Sequence, residues 1–207
     1  MPRTVAGVLA LVVAVCVAAP AGGAAPRRQT RLSTEVRCAA ELGTGEQTRR
    51  RFCDVVIAPL GSQSVIMPIP AHAGETTLLM DLHNRFTVPA GGASPAEAFE
   101  RHVAVVALVR PTGEMIDRAA VGREFRTVQD LFDRVAGGGR QGGVKGVAPG
   151  PPEAVRMTIP EDVNAVGLVG VRLELLTSSI DDTYDAPGRP IAIVSNLRIE
   201  YTPRSPW

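Results

Sequence analysis

The sequence predicts an all-β protein, an antiparallel β-sandwich of jelly-roll-like architecture, and three observations carry this prediction. Segments of alternating apolar and polar residues recur along the chain, with turn-forming residues between them. Residues 103–121, VAVVALVRPTGEMIDRAAV, contain a strand that is apolar on both faces and then a Pro-Thr-Gly turn, as in a covered central hairpin. Apolar residues make up 45% of the 207 residues and aromatic residues only 4%, so small aliphatic side chains must build the core.

The first 25 residues have the organisation of a cleaved secretory signal peptide. Arg3 precedes an apolar run of about 15 residues, Val5–Ala19, and small residues follow as cleavage sites. The run is short for a membrane span, and no later segment holds about 18 uninterrupted apolar residues, so we expect no membrane span in the mature chain. An uncleaved anchor and lipidation at Cys16 are the less favoured alternatives. We therefore expect an exported protein, periplasmic, on the cell surface or extracellular.

The charge balance argues against whole classes of partner. The chain has 22 basic and 21 acidic residues, and loss of Arg3 with the signal peptide brings the net charge near zero. Such a balance is not typical of a nucleic-acid binder or of a protein that binds anionic membranes. The basic residues concentrate in a flexible arm, 26–31, and at Arg49–Arg51. We interpret these as solvated segments, and the alternative is a patch for an acidic polymer or a lipid headgroup.

Cys38 and Cys53, the two cysteines beyond the signal peptide, predict a disulfide bond because exported proteins fold in oxidising compartments. The bond would close a loop of about 15 residues, which corresponds to roughly 3 kcal/mol of stability. Two free thiols are the alternative. A metal site is disfavoured, since no histidine lies near either cysteine in the sequence.

Residues 32–207 are expected to form a single β-sandwich domain with about nine strands. Besides the two arms of the 103–121 hairpin, the alternation predicts strands at 32–39, 52–58, 64–69, 75–88, 154–159, 166–176 and 191–202.

Two short helices complete the predicted secondary structure. The segment 94–97, Ser-Pro-Ala-Glu, matches a capping box with proline at the first helical position, and predicts a helix up to about Arg101. Apolar residues recur at helical spacing over 128–136 and stop before Gly137, which predicts a second helix. Residues 137–152 form a Gly/Pro-rich loop that lacks the strand–helix context of a phosphate-binding loop, so we expect no nucleotide site.

The closing stretch 187–203, PGRPIAIVSNLRIEYTP, resembles the last strand of secreted jelly-roll modules of the galactose-binding-like type. The resemblance covers this one strand. Because many such modules bind carbohydrate, it implies a secreted sandwich with a glycan as its expected ligand.

Polar residues interrupt the apolar pattern of the strand at 75–88. Asp81, His83 and Arg85 alternate along it and therefore share one face. We interpret them as a hydrogen-bonded polar surface, and the functional hypothesis is a ligand-binding site. A metal site there would require His72 and His102 to converge on the same face.

Aspartates also concentrate in the polar segment 178–189, between two predicted strands. Asp181, Asp182 and Asp185 offer closely spaced carboxylate oxygens, which suit calcium. The alternative is a solvated turn. Calcium is the one cofactor that the sequence suggests.

No motif of catalysis stands out in the sequence. There is no Gly-x-Ser-x-Gly nucleophile elbow, and nothing singles out a pair of carboxylates for glycoside hydrolysis. We therefore expect an exported, non-catalytic binding or envelope-associated module, whose partner is a glycan or an envelope protein. The first alternative is a carbohydrate-binding jelly roll that uses 178–189, with or without calcium. The second is a small secreted hydrolase built around His83.

Overall fold

In a computed structural model of the chain, residues 30–33, 35–62, 65–86, 101–124, 131–136, 146–149, 152–176 and 181–204 are described. All regular secondary structure in these residues is β, and the paired strands run antiparallel. The strands are β1 (Thr30–Ser33), β2 (Arg37–Cys38), β3 (Glu41–Gly45), β4 (Arg51–Val56), β5 (Val65–Pro68), β6 (Thr76–Phe86), β7 (Arg101–Val109), β8 (Met115–Glu124), β9 (Leu131–Ala136), β10 (Gly146–Pro149), β11 (Glu153–Ile159), β12 (Ala165–Leu176), β13 (Asp181–Tyr184) and β14 (Pro190–Tyr201).

The strands form two sheets, which confirms the all-β, sandwich-like prediction. The first has eight strands in the order β1-β14-β4-β3-β9-β10-β6-β11, and the second has the order β2-β5-β12-β7-β8 with β13 paired to β12. Alternate residues of both sheets point into a shared aliphatic core. Its largest fully buried side chains include Met67, Leu78, Met80, Leu82, Leu108, Met157, Ile159, Leu168, Ile191 and Ile199.

The hairpin at 103–121 is placed as its sequence predicts. β7 lies between β12 and β8 and is buried on both faces from Ala104 to Val109. The turn that follows closes through a hydrogen bond from the Gly113 N–H to the Arg110 carbonyl oxygen, at 2.9 Å. Gly113 has a φ of 92°, a backbone conformation that favours glycine.

The first sheet closes on itself at one end. β14 pairs with β4 along one edge and with β6 along the other, and β3, β9 and β10 connect β4 back to β6. These six strands form a ring around a second, smaller core of Leu42, Phe52 and Ile193, against which Phe132 and Val135 pack. The ring covers the face of β6 that carries Asp81 and His83, so the polar face predicted from the sequence is an interior surface.

Two different strands pair with successive parts of one edge of β14. β4 pairs with Pro190–Val194, and β1 pairs with the last four residues of the strand, from Arg198. The register against β6 also shifts between Ser195 and Arg198, as at a β-bulge. Residues 195–197 therefore lie at a gap between β1 and β4.

The predicted helix at 128–136 is wrong in its described part, because residues 131–136 form strand β9. β9 pairs with β3 on one side and β10 on the other, so contacts distant in sequence supply its backbone hydrogen bonds. The helix predicted from 94 to Arg101 lies outside the described residues, except that Arg101 begins β7.

Three segments between the predicted strands contain strands of their own. β3 occupies part of 41–48, β10 lies within the Gly/Pro-rich stretch 137–152, and β13 lies within 178–189. Each is short and pairs with strands distant in sequence or with a long neighbour, so local composition gives little sign of it. The remainder of 137–152, apart from Pro152, and the predicted signal peptide lie outside the described residues.

The predicted disulfide between Cys38 and Cys53 is present, with a Cα–Cα distance of 5.6 Å. Cys38 lies on β2 of the second sheet and Cys53 on β4 of the first, so the bond joins the two sheets. Helices long and apolar enough to cross a membrane are absent from the described part of the chain.

Candidate functional site

Asp81 is the centre of a buried polar cluster at the rim of the ring. Asp81 is 8% exposed, and its Oδ2 accepts hydrogen bonds from Arg50 Nη1 at 2.6 Å and from Asn196 Nδ2 at 3.0 Å. A buried carboxylate requires such partners, and a bond from a guanidinium is among the strongest available. Asp81 therefore holds two side chains from different parts of the chain in fixed positions.

Arg50 lies at the boundary between this cluster and solvent, with 37% of its side chain exposed. One nitrogen of its guanidinium is bonded to Asp81, and the guanidinium carbon lies 5.8 Å from the ring centroid of Phe132. The hydrogen bonds of the described residues leave its Nε and Nη2 without a partner. The buried carboxylate thus orients a guanidinium with two donors that the described residues do not engage.

Asn196 owes its orientation to the break in β14. Its φ of 54° lies in the left-handed region, which asparagine tolerates better than most residues. The register shift against β6 at this point turns the side chain toward Asp81. The amide nitrogen is bonded to Asp81, while the amide oxygen has no partner among the described residues.

His83 and Ser195 form a second polar contact, inside the ring. His83 Nε2 lies 2.9 Å from Ser195 Oγ, and both residues are fully buried. The imidazole packs between Phe52 and Phe132, with ring centroids at 5.5 Å and 4.9 Å. Because the contact is enclosed, this hydrogen bond fixes β14 immediately before Asn196.

A groove of about 540 Å³ opens at the gap in the sheet. Arg50 and Asn196 line it, together with Ser33, Glu35 and Val36. Three of its lining residues are apolar: Cys53 and Leu197 belong to the main core, and Val36 packs against that core. We call this hollow, lined by Ser33, Glu35, Val36, Arg50, Arg51, Cys53, Asn196 and Leu197, the β14 groove.

The charges around the β14 groove largely compensate one another. Arg50 is paired with Asp81, and Arg51 binds both carboxylate oxygens of Glu41, at 2.9 and 2.8 Å. The hydrogen bond from Arg51 lowers the pKa of the Glu41 carboxyl below its ordinary value, against the opposing effect of burial. Arg51 Nη1 also donates to the Val36 carbonyl oxygen at 3.3 Å. The groove is therefore polar without a strong net charge.

A third polar cluster, around Asp133, closes the ring where β9 meets the turn after β3. Its Oδ2 accepts hydrogen bonds from the hydroxyl and the N–H of Thr48, and its Oδ1 from the N–H groups of Gln47 and Arg134. Burial by itself would raise the pKa of this carboxyl, but the four hydrogen bonds favour the charged form and lower it. The arrangement accounts for the burial of Asp133 and is structural.

Two of the three residues predicted on β6 form polar contacts in the ring, and neither is among the residues that line the β14 groove. Asp81 and His83 share a face as predicted, but each has its own partners in the ring. The backbone of Arg85 pairs with Val147 in β10, and its side chain lies outside the described residues. The sequence shows both Arg50, in a basic run, and Asn196, in the last strand, but nothing in it brings these two residues to Asp81.

The predicted calcium residues are not among those that line the β14 groove. Asp181 and Asp182 are neighbours on β13 and so point to opposite faces, and Asp185 follows the strand. Asp182 Oδ1 accepts a hydrogen bond from the Thr183 N–H at 2.8 Å. Calcium binding here stays a prediction.

Metal-binding clusters are not found elsewhere in the described residues either, since no three histidine, cysteine, aspartate or glutamate side chains converge. His72 Nδ1 lies 2.7 Å from the Pro70 carbonyl oxygen, and Nε2 lies 3.2 Å from that of Pro160. His102 is buried on β7. The three histidines thus serve three separate places in the fold.

Comparison with known proteins identifies no relative. No protein-family model matches the sequence, and neither a curated protein nor a solved structure matches it significantly. A function must therefore be inferred from the residues and their geometry.

Proposed function

We propose that the protein is an exported, non-catalytic binding module and that the β14 groove is its ligand site. The proposal rests on the way Arg50 is held. The buried carboxylate of Asp81 accepts a hydrogen bond from one nitrogen of the guanidinium, while the other two nitrogens have no partner in the described residues. Small-molecule sites combine apolar walls with a few oriented polar groups, and the groove has both.

Export is supported by the disulfide and by the organisation of residues 1–25. We propose accordingly that 1–25 are a cleaved signal peptide, with a mature chain in the periplasm, on the surface or outside the cell. The two-sheet arrangement is in keeping with a jelly-roll-like sandwich.

The non-catalytic part of the proposal is favoured by the enclosure of Ser195. A hydrolase built around His83 would need a nucleophile that a substrate can reach. Ser195 Oγ lies within hydrogen-bonding distance of His83 Nε2, and Ser195 is fully buried.

The proposal is tested by ligand screening of the oxidised protein, expressed from the full-length sequence. The screen uses saturation-transfer NMR with soluble oligosaccharides, acidic peptides and basic peptides. We expect at least one class to bind, and we expect Asn196→Ala to weaken that binding. Arg172→Gln is the control, because Arg172 is an exposed residue paired with Glu174 at 2.9 Å on β12. Binding that is insensitive to Asn196→Ala would place the ligand outside the groove and overturn the proposal.

A further inference from the structure

We propose that the outer face of the first sheet, on β1, β14, β6 and β11, binds an acidic, extended segment of a partner protein. Three arginines of this face, Arg31, Arg156 and Arg198, are not among the residues that line the β14 groove. The inference therefore adds a second surface to the proposed function. It depends on an excess of guanidinium groups over carboxylates and on the spacing that the strand register gives them.

The register places the three arginines on one face. Arg198 of β14 and Arg156 of β11 both lie opposite Leu79 of β6, one on each side of it. In the next row, Arg31 of β1 lies opposite Glu200 of β14. Directly opposite residues point to the same face of a sheet, and the core side chains of these strands point to the other face. The arginines therefore share the outer face.

One carboxylate serves two of the three arginines. Glu200 forms ion pairs with Arg31 and with Arg156, whose Nη2 lies 3.2 Å from its Oε2. The hydrogen bond from Arg31 lowers the pKa of the Glu200 carboxyl against the opposing effect of burial, so this group is charged at neutral pH. Asp81, the other carboxylate that these four strands place on this face, is bonded to Arg50. The three arginines thus exceed the carboxylate that is left to them.

Arg198 is the arginine without a counter-charge. None of the described residues forms an ion pair with its guanidinium or accepts a hydrogen bond from it. The residue is also half-buried, and its Nε is fully enclosed. A charge that is partly removed from water is unfavourable unless it is paired, and a carboxylate is the best-matched partner for a guanidinium. A ligand carboxylate would supply the counter-charge that the fold does not provide.

The spacing of the arginines suits an extended segment. Adjacent strands lie about 4.8 Å apart, so Arg198 and Arg156, two strands apart, are separated by about 10 Å. Three residues of an extended chain also span about 10 Å, so acidic residues at that interval can pair with both arginines. The side chains of Arg156 and Arg31 are 64% and 57% exposed, which leaves this face accessible.

Other anionic partners fit this face less well. Leu79, the large apolar residue between the two arginines, is only 8% exposed, so it offers no side chain for insertion into a lipid surface. A nucleic acid is disfavoured because the formal net charge of the whole chain is only +1. A short acidic segment needs only the local excess of positive charge.

The test uses a rhodamine-labelled peptide of four Gly-Ser-Asp repeats, which places a carboxylate about every 10 Å along an extended chain. Peptides of Gly-Ser-Asn and Gly-Ser-Lys repeats are the neutral and basic controls. Binding is measured by fluorescence anisotropy at low ionic strength, on the oxidised protein expressed from the full-length sequence. We expect a dissociation constant on the order of 100 μM for the acidic peptide, and binding at least tenfold weaker for both controls. Equal binding of the three peptides, or no binding of the acidic one, would overturn the inference.

Charge variants of the face locate the binding. We expect Arg198→Gln and Arg156→Gln each to weaken binding of the acidic peptide about threefold, as the loss of an exposed ion pair does. Glu200→Gln should strengthen it, because this change removes the carboxylate that competes with the ligand. Arg172→Gln, at an exposed pair on β12 of the other sheet, is the matched control and should bind as the wild type does. Equal weakening by Arg172→Gln and Arg198→Gln would show an unspecific attraction between charges and contradict the proposed surface.

Two further outcomes separate this surface from other partners and from the groove. Binding of polyphosphate or of phosphatidylglycerol vesicles that is sensitive to Arg198→Gln, with no binding of the acidic peptide, would overturn the assignment to a protein segment. Asn196→Ala should leave binding of the acidic peptide unchanged, because Asn196 lines the groove. Peptide binding lost in Asn196→Ala but intact in Arg198→Gln would place the peptide in the groove, which overturns this inference and supports the proposed function.

Discussion

At the scale of single residues, burial decides what each polar side chain can do. Asp81 and His83 share a face of β6, but they have different partners. Asp81 binds Arg50 and Asn196, whereas His83 binds Ser195. Buried polar atoms are costly unless they are hydrogen-bonded, so each needs a partner from another strand. The alternation of the sequence identifies their shared face, and the partners depend on the ring.

His102 makes the stability of the protein depend on pH. It lies on the face of β7 that also carries Ala104 and Val106, and burial lowers its pKa from 6.5 to about 4. The unfolded chain therefore takes up a proton near pH 6.5, while the folded chain resists it until about pH 4. This contribution to stability is complete above pH 6.5 and declines as the pH falls toward 4.

We expect the wild type to lose about 2 kcal/mol through His102 between pH 7.5 and pH 5. Urea unfolding at these two pH values measures the loss of unfolding free energy. In His102→Leu the loss between the two pH values should be smaller by about 2 kcal/mol. Carboxylates with lowered pKa values lose their contribution at lower pH, and the comparison with His102→Leu separates His102 from the other histidines. Parallel losses in the wild type and in His102→Leu would show that another group is responsible.

At the scale of elements, β9 shows how long-range pairing overrides a local pattern. Phe132 and Val135 occur at a spacing that fits a helix, but in the fold they pack on the small core from an extended strand. β3 and β10 supply the backbone partners of β9 from both sides. Helical periodicity in a segment this short is therefore weak evidence, because tertiary pairing determines its conformation.

The close packing of β3 against β9 requires a glycine at position 45. A methyl group at Gly45 would overlap the Asp133 carboxylate and approach Phe52 and Thr48 to 2.8 Å. We expect Gly45→Ala to destabilise the protein by about 2 kcal/mol, as overpacking does elsewhere. Urea unfolding measures this effect. Gly61→Ala is the matched control, since no atom lies within 4 Å of the added methyl, and it should change stability by less than about 0.5 kcal/mol. Equal effects of the two substitutions would contradict the role assigned to Gly45.

At the scale of the whole molecule, the disulfide connects the two sheets beside the groove. Cys53 lines the groove, and Cys38 follows the lining residues Glu35 and Val36 by two residues. The bond therefore restrains both the sandwich and the groove.

We expect replacement of both cysteines by alanine to cost roughly 3 kcal/mol, the value for a loop of this length in the chain-entropy model. Urea unfolding of the variant is compared with that of the oxidised wild type. Wild-type protein treated with a reductant is the matched control, and it should unfold with the variant. A loss below about 1 kcal/mol would mean that the link adds little to the fold.

Most of the long strands could be predicted from the sequence. β6, β7, β11, β12 and β14 have their bounds within a few residues of the predicted ones, because each is long and alternates clearly. The disulfide was predictable too, because residues 26–207 contain two cysteines and the first 25 residues have the pattern of a signal peptide, which predicts an oxidising compartment. The short strands β3, β9, β10 and β13 were missed, because they are held by pairing and carry little pattern of their own.

The sequence by itself thus determined the fold class, the main core and the disulfide, all of which follow from local alternation or from residue type. Only the tertiary structure decided the closure of the ring, the break in β14 and the groove beside it. Asp81 is 31 residues from Arg50 and 115 from Asn196, and their association depends on the register of strands that no local pattern specifies. The physical reason is that alternation fixes which face a residue occupies, whereas pairing between distant strands fixes which residues meet on that face.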